Sequence, residues 1–258
     1  MSEPTSPWLS VVTVVKDDDS GFARTADSLQ QQVLDGVEWV VVDSSRDRDA
    51  VPSLIADRSV PARYSWTPPS GVYPAMNTGL AEAAGQYVYF LNAGDCLHDP
   101  GVLGHVRLIV DEHRPVWLYG QVCFVAPDGD RVTPAPFDYQ AERRAHFSRG
   151  RFPAHQGTIV AISHLRAIGG FDESYRIVAD YAAFLRLTQI ADPAQTDAVL
   201  ADFHTGGVSS TDWRASIREF HRARQEVLQL TGSAAAVERL NTASQEARMT
   251  VARWLGRV

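Results

Sequence analysis

Cysteine and lysine are scarce in this chain. Its 258 residues carry two cysteines, Cys96 and Cys123, and one lysine, Lys16, every other cation being an arginine. Two thiols without metal-ligand spacing argue against a disulfide scaffold or a cysteine-built zinc site, and are read most simply as reduced and structural. A GC-rich coding sequence explains the shortage of lysine more simply than a need for fork-shaped donors at every cation. No run approaches the ~20 continuous apolar residues of a bilayer span. Met1–Pro7 is polar and includes Glu3, without the basic and apolar regions of a secretory signal. GxGxxG does not follow the first predicted strand and GxxxxGK(S/T) is missing throughout, which excludes the usual dinucleotide and P-loop enzymes. A net charge of -7 with a pI near 5.6 argues against a nucleic-acid partner. These exclusions leave a cytoplasmic enzyme or binding domain.

What is present reads as an alternating pattern. Leu9 to Val15 (LSVVTVV) is a continuous β-branched run, as in a parallel strand buried on both faces. Lys16-Asp17-Asp18-Asp19-Ser20-Gly21 breaks it, and Phe22 to Gln32 follows with helical spacing of Phe22, Ala26 and Leu29. Val37 to Val42 is a second buried strand, stopped by Asp43-Ser44-Ser45. Residues 47–56 read as a helix, 62–66 as a strand, 73–84 as a helix stopped at Gly85, and 86–91 as a fourth strand ending in Asn92-Ala93-Gly94-Asp95. Four strand–helix alternations imply a right-handed, doubly wound α/β sheet, in which ligands bind beyond the carboxyl ends of the strands. The polar breaks at 16–20, 43–47 and 92–95 all fall there, which suggests a nucleotide or another phosphate-rich ligand.

The second half has a different grammar. Residues 116–119 and 121–125 are strand-like, and Asp128-Gly129 signals a hairpin. Residues 133–154, with Pro134, Pro136, Pro153 and several arginines, suggest a long loop or lid. Residues 156–162 resume as a strand, a strand-like stretch covers Tyr175 to Val178, and Asp180 to Ile190 is a helix. The tail after Thr211 forms one or two amphipathic helices, with Trp213, Ile217, Phe220, Val227 and Leu228 on the apolar side.

Ser70-Gly71-Val72-Tyr73-Pro74-Ala75-Met76-Asn77-Thr78-Gly79 followed by Gln86-Tyr87-Val88-Tyr89-Phe90-Leu91-Asn92-Ala93-Gly94-Asp95 resembles glycosyltransferase family 2, in the branch with an SGIYDAMNKG…GEYVLFLNAGD pattern. The strands ending at Val15 and Asp43 match that family's first two. His155-Gln156, Gly169-Gly170-Phe171-Asp172-Glu173, Ala179-Asp180-Tyr181 and Gly206-Gly207-Val208-Ser209 match its second half in order. The resemblance covers roughly Leu9 to Ser210. It implies a GT-A fold over residues 7–210, a mostly parallel mixed sheet, with a C-terminal amphipathic helical extension over 211–258. It also implies inverting transfer from a nucleotide-diphosphate sugar to an acceptor hydroxyl, in polysaccharide, cell-wall or glycolipid synthesis.

Each residue has a bland reading beside the functional one. Asp95 follows a buried strand and a small Ala93-Gly94 turn, where a lone carboxylate can hold Mg²⁺ or Mn²⁺ with help from donor phosphates; alternatively it caps the helix over 100–112. The family's commoner form is Asp-x-Asp, whereas Asn92 and Gly94 stand here, so Asn92 is expected at a turn or on the donor sugar. Asp43 and Ser44 stand where the resemblance puts the pyrimidine-binding acid, unless Asp43 only closes the strand in an Asx turn. Thr13 to Val15 would line the base through the backbone, and Lys16 would reach a phosphate or lie in solvent. Tyr73 and Asn77 share a helix face, and the resemblance lays that face along the ribose and diphosphate; helix–sheet packing is the alternative. Asp180 is the catalytic candidate, the base that takes the acceptor proton by resemblance, or else a helix N-cap. Asp172 and Glu173 are expected to shape a turn. His155 would border the donor or acceptor, and His204 would complete a metal site, unless both are structural. Arg143, Arg144, Arg149 and Arg151 clamp an anionic substrate or form a solvated face. The tail docks on the inner membrane face, where a lipid-linked acceptor lies, or packs on the catalytic domain or a homodimer partner. Three other functions fit less well. A sugar nucleotidyltransferase would want a Gly-rich basic first loop, a catalytically weak nucleotide-sugar-binding protein is suggested by the altered Asp-x-Asp, and a scaffold would act through the C-terminal helices.

Overall fold

The structure is a computed structural model that describes residues 6–58, 60–148, 151–205 and 213–254. Arg149, Gly206-Gly207-Val208-Ser209 and the expected domain boundary after Ser210 lie outside them. The described elements run β1 (Leu9–Val15), α1 (Asp19–Gln30), β2 (Val37–Asp43), α2 (Ala50–Arg58), β3 (Ala62–Trp66), α3 (Val72–Glu82) and β4 (Tyr87–Phe90). There follow β5 (Cys96–Leu97), α4 (Val102–His113), β6 (Trp117–Val125), β7 (Arg131–Val132), α5 (Tyr139–Arg144), β8 (Thr158–Ala161) and α6 (Ile162–Ala167). The chain ends with α7 (Ala179–Leu187), β9 (Ala194–His204), α8 (Trp213–Leu228) and α9 (Gly232–Trp254).

One sheet has the order β3-β2-β1-β4-β8-β6-β9-β5, with β7 added to β6. β3, β2, β1 and β4 are parallel, with Val15 opposite Asp43 and Asp43 opposite Trp66. β8 enters antiparallel between β4 and β6. The continuous apolar runs of β1 and β2 are explained by two cores. Val12, Val14, Val40 and Val42 face the layer containing α3 and α7, while Leu9, Val11, Trp39 and Val41 face the layer containing α1 and α4. Full burial of each such side chain contributes about 1.5–3 kcal/mol. Helix α3 approaches β1 closely because Gly79 has no side chain; a Cβ there would lie 2.3 Å from Val12 Cγ1.

The second half departs from expectation in four places. Residues 117–125 form one strand, not two, with a register shift on either side of Gln121. The β9 strand was not foreseen; it pairs parallel with β6 and antiparallel with β5. Tyr175 to Val178 is an irregular entry to α7 rather than a strand. The 133–154 segment is no free loop: it contains α5, and its aromatics run from Phe137 through Phe152 to Tyr181, with Phe152 and Tyr181 centroids 4.7 Å apart. Arg143 there pairs with Asp192.

The tail packs on the sheet domain. Ala223 joins the α3–α7 core, Phe220, Val227 and Leu228 pack against it, and Arg224 and Glu238 form a buried pair at 2.8 Å between α8 and α9. Among the described residues no helix is long and apolar enough to cross a membrane. Both cysteines are free, and burial pushes the Cys96 thiol up to about 11, consistent with an inert structural role.

Candidate active site

The carboxyl ends of β1, β2 and β4 bring three polar segments to one edge. The first two are laced together. The Asp17 N–H donates to Ser45 Oγ at 2.8 Å, the Arg46 N–H to Asp17 Oδ1 at 2.9 Å, and the Ser44 N–H to the Val15 carbonyl at 2.9 Å. A cleft of about 410 Å³ opens beside them, lined by Lys16, Ser44, Arg46, Arg48 and Trp66 among others. Arg48 lies over the Trp66 ring at 3.6 Å. The cleft combines cations with an aromatic face, the chemistry that suits a nucleotide.

Asp43 closes β2 with both oxygens engaged. Oδ1 accepts from the Ser45 N–H at 2.7 Å, the expected Asx turn, and Oδ2 accepts from Tyr64 Oη at 2.9 Å. Burial and the Asp43 charge push the Tyr64 hydroxyl up to about 12, so it stays a donor. The Thr13 side chain is interior to the sheet, donating to the Leu91 carbonyl and accepting from Trp39 Nε1. Its expected place near a base is therefore limited to the main chain.

The third segment is a tight turn. The Ala93 N–H donates to the Val14 carbonyl, and Gly94 takes φ +97, a conformation that favours glycine. The Gly94 N–H donates to Thr25 Oγ1, which itself donates to the Asp95 carbonyl at 2.7 Å. Asp95 does not cap α4: the N–H of Gly101, the residue before that helix, is bound by Asp99. The Asp95 carboxyl is 5% exposed, and burial pushes it up to about 7 against the opposing pull of His155, Gln156 and Asn92.

Around this turn the fold assembles a connected set from four distant segments. Asn92 Nδ2 lies 3.3 Å from His155 Nε2, and His155 Nδ1 lies 3.1 Å from Asp180 Oδ2. Tyr73 Oη lies 3.0 Å from Asp180 Oδ1 and 2.5 Å from the Ile177 carbonyl, so its single proton is shared between the two acceptors. If Nδ1 carries the His155 proton, Nε2 accepts from Asn92, whose buried Oδ1 has no partner among the described residues. Asp180 is not an N-cap: Val178 occupies that position, and Asp180 projects from the first turn of α7. Burial alone would raise the Asp180 carboxyl, but the hydrogen bond and charge of His155 outweigh it and hold it low. Burial likewise opposes charge on His155, yet Asp180 and Asp95 draw its pKa upward. The result is an ionised carboxylate, gripped at both oxygens and 23% exposed on its side chain, so a hydroxyl can still reach it.

Two expected site residues are placed elsewhere. Asn77 faces protein. Its Nδ2 donates to the Phe171 carbonyl at 2.8 Å and to Glu173 Oε1 at 2.9 Å, and its Oδ1 accepts from the Phe171 N–H at 2.9 Å. It is a stitch between α3 and the Gly169–Glu173 turn, with both amide protons spent. His204 ends β9 in a separate groove with Cys96, His98 and Asp202, and His98 and Arg131 both bind Asp202.

The family model for glycosyl transferase family 2 matches residues 10–168. The chain belongs to glycosyltransferase family 2. A glycosyltransferase of Mycobacterium tuberculosis (strain H37Rv) is 30% identical over 210 residues, covering 80% of this chain and 78% of the relative. A PGL/p-HBAD biosynthesis glycosyltransferase of the same strain is 26% identical over 219 residues, covering 80% of each. Among solved structures, Staphylococcus aureus TarS 1-349 in complex with UDP-GlcNAc superposes with TM-score 0.67 at 18% identity, covering 92% of this chain and 70% of that one. A mannosyltransferase from Pyrobaculum calidifontis in complex with GDP-Man and Mn²⁺ gives TM-score 0.65 at 16% identity, covering 96% and 75%. These likenesses establish the GT-A fold, and this protein is a glycosyltransferase.

The family-2 fold raises the question of a divalent ion. Among the described residues no group of three or more His, Cys, Asp or Glu side chains could hold one. What this glycosyltransferase offers is the buried Asp95 carboxylate and the orphaned Asn92 Oδ1. Both are hard oxygen donors that suit Mg²⁺ or Mn²⁺ when substrate phosphates supply further ligands. Sequence reasoning missed Trp66 and Arg48 in the cleft beside β1 and β2. The signal was available, since Trp66 ends the third parallel strand at the same edge as Asp43. It also missed Tyr64 on Asp43, which only the pairing of β2 with β3 reveals.

Proposed function

We propose that this glycosyltransferase moves a sugar from a nucleotide-diphosphate donor to an acceptor hydroxyl with inversion, using Asp180 as the base. One observation carries this reading: the Asp180 carboxylate from α7 is linked through His155 to Asn92, at the turn that holds Asp95. The nucleotide lies in the cleft at Lys16, Ser44, Arg48 and Trp66, and its diphosphate extends along the Asn92–Asp95 turn. UDP-GlcNAc and GDP-Man in the two solved relatives support a nucleotide sugar as donor. Asp95 and Asn92 would hold a divalent ion, as the Mn²⁺ of the mannosyltransferase complex supports, and that ion would neutralise charge on the departing diphosphate.

Asp180 accepts the hydroxyl proton as the acceptor oxygen attacks the anomeric carbon, and the bond electrons leave with the diphosphate. His155 and Tyr73 hold the two carboxylate oxygens, so the base is fixed before the acceptor arrives. The PGL/p-HBAD relative supports a glycolipid or other lipid-linked acceptor.

The test is a transfer and hydrolysis screen across UDP-, GDP- and dTDP-sugars, with and without EDTA. Asp180→Asn keeps an oxygen acceptor but removes the base, and should lower turnover about 10²- to 10⁴-fold while nucleotide binding persists. Unchanged turnover in that variant overturns the mechanism. A product with retained anomeric configuration, read by NMR, overturns the inversion. Activity indifferent to EDTA overturns only the metal role.

A further inference from the structure

Helix α7 carries the proposed base in its first turn, yet it supplies no side-chain cap of its own. The N–H groups at a helix start have no partner inside the helix and must find one elsewhere. Glu219 of the appended tail takes the donor at the N-cap, Val178, and the two donors that precede it. Glu219 on α8 accepts from the Arg176 N–H at 3.1 Å through Oε1, and from the Ile177 and Val178 N–H groups at 2.8 and 3.2 Å through Oε2. One carboxylate thus gathers three consecutive main-chain donors immediately before Ala179 and Asp180. Its negative charge also suits the positive end of the α7 dipole.

The same short segment is held from the opposite direction. The Ile177 carbonyl accepts from Tyr73 Oη, the hydroxyl that also reaches Asp180. Phe220, next to Glu219, packs edge-on against Tyr181 with centroids 4.8 Å apart. The tail therefore contacts the chain on both sides of Asp180, and none of its described residues lines the cleft proposed for the donor.

We infer that Glu219 is a positioning residue for the reaction: the C-terminal extension sets the Asp180 carboxylate by fixing residues 176–178, the entry to α7. The inference rests on the reading of Asp180 as the base. Helix α8 keeps its other anchors when Glu219 is changed, because Ala223 is in the core and Arg224 is paired with Glu238. Glu226 serves as a control. It lies on the same helix and accepts from Tyr175 Oη and Arg222 Nε.

The experiment compares Glu219→Ala, Glu219→Gln and Glu226→Gln in the full-length protein with whichever nucleotide sugar the screen selects. Displacing a catalytic group by about 1 Å can cost about 10²-fold in rate. Glu219→Ala should lower kcat about ten- to hundredfold, with the donor KM within about twofold of the parent. Amide exchange should rise across residues 176–182 and stay unchanged in β1 and β2. Glu219→Gln keeps one acceptor oxygen and should recover most of kcat. Glu226→Gln should leave kcat within about twofold. A fully active Glu219→Ala, or equal losses in Glu219→Ala and Glu226→Gln, overturns the inference. Asp180→Asn run alongside separates the two readings. Full activity there overturns the base assignment and this inference with it, whereas an inactive Asp180→Asn beside a fully active Glu219→Ala overturns the inference alone.

Discussion

Asn77→Ala distinguishes a donor-binding amide from a structural stitch. In the structure Asn77 binds both main-chain groups of Phe171, and Phe171 is only 1% exposed. Removing the amide strands a buried N–H and a buried C=O. Each stranded group costs about 1–3 kcal/mol, and the helix regains up to about 0.7 kcal/mol from the better propensity of alanine. The net loss is about 1–5 kcal/mol. For a chain of this size each kcal/mol lowers Tm by roughly 2–4 °C, so a fall of roughly 2–20 °C is expected by differential scanning fluorimetry. Phe171 packs on Phe90 and Tyr73, with centroids 5.0 and 5.9 Å away, so loosening it reaches the ring that holds Asp180. Donor KM, measured well below Tm, should stay within about twofold, because neither amide proton is free for a ligand. The reverse pattern, a donor KM raised tenfold or more with Tm unmoved, would refute the stitch and return Asn77 to the diphosphate.

Two further predictions concern packing and pH. Gly79→Ala puts a Cβ 2.3 Å from Val12 Cγ1, an overlap that costs about 1–3 kcal/mol less about 1 kcal/mol of helix propensity; urea unfolding should show a lower midpoint with an unchanged slope. In the tail, Arg224, Thr242 and Gln225 hold the Glu238 carboxyl below its usual value in spite of burial. A depressed folded pKa means that this stabilisation is complete above the unfolded value, about 4.5, and is lost as pH falls through the lower folded value. Tm should therefore drop on acidification below about pH 4.5, and Glu238→Gln should shrink that drop. An equally steep drop in Glu238→Gln would place the acid sensitivity elsewhere.

The elements that were legible share a physical cause. β1, β2 and β4 are buried on both faces, so their burial is written as uninterrupted apolar runs, and the polar breaks after them mark one edge of the sheet. β9 left no such trace. Its sequence, AQTDAVLADFH, is only partly buried, and its partner β6 lies far back in the chain. Helical spacing correctly put Tyr73 and Asn77 on one face, but spacing does not say what a face meets. Tyr73 met Asp180, and Asn77 met the Phe171 backbone. Asp180 stood out as a carboxylate near a helix start; that it escapes the N-cap position depends on where α7 begins, which local pattern does not fix to the residue.

The scarcities noted at the outset keep their meaning. With no dinucleotide fingerprint and no P-loop, the edge proposed for the donor is built from strand ends and scattered cations, and the sequence alone determined that edge and the parallel half-sheet beneath it. Local pattern suffices there because hydrophobic burial and turn chemistry act over a few neighbouring residues. Only the tertiary structure joined Asn92, His155, Asp180 and Tyr73, and only it recruited Glu219 from the tail. Those contacts are directional hydrogen bonds between segments up to about a hundred residues apart, and no periodicity in a chain records which distant partner a donor will meet.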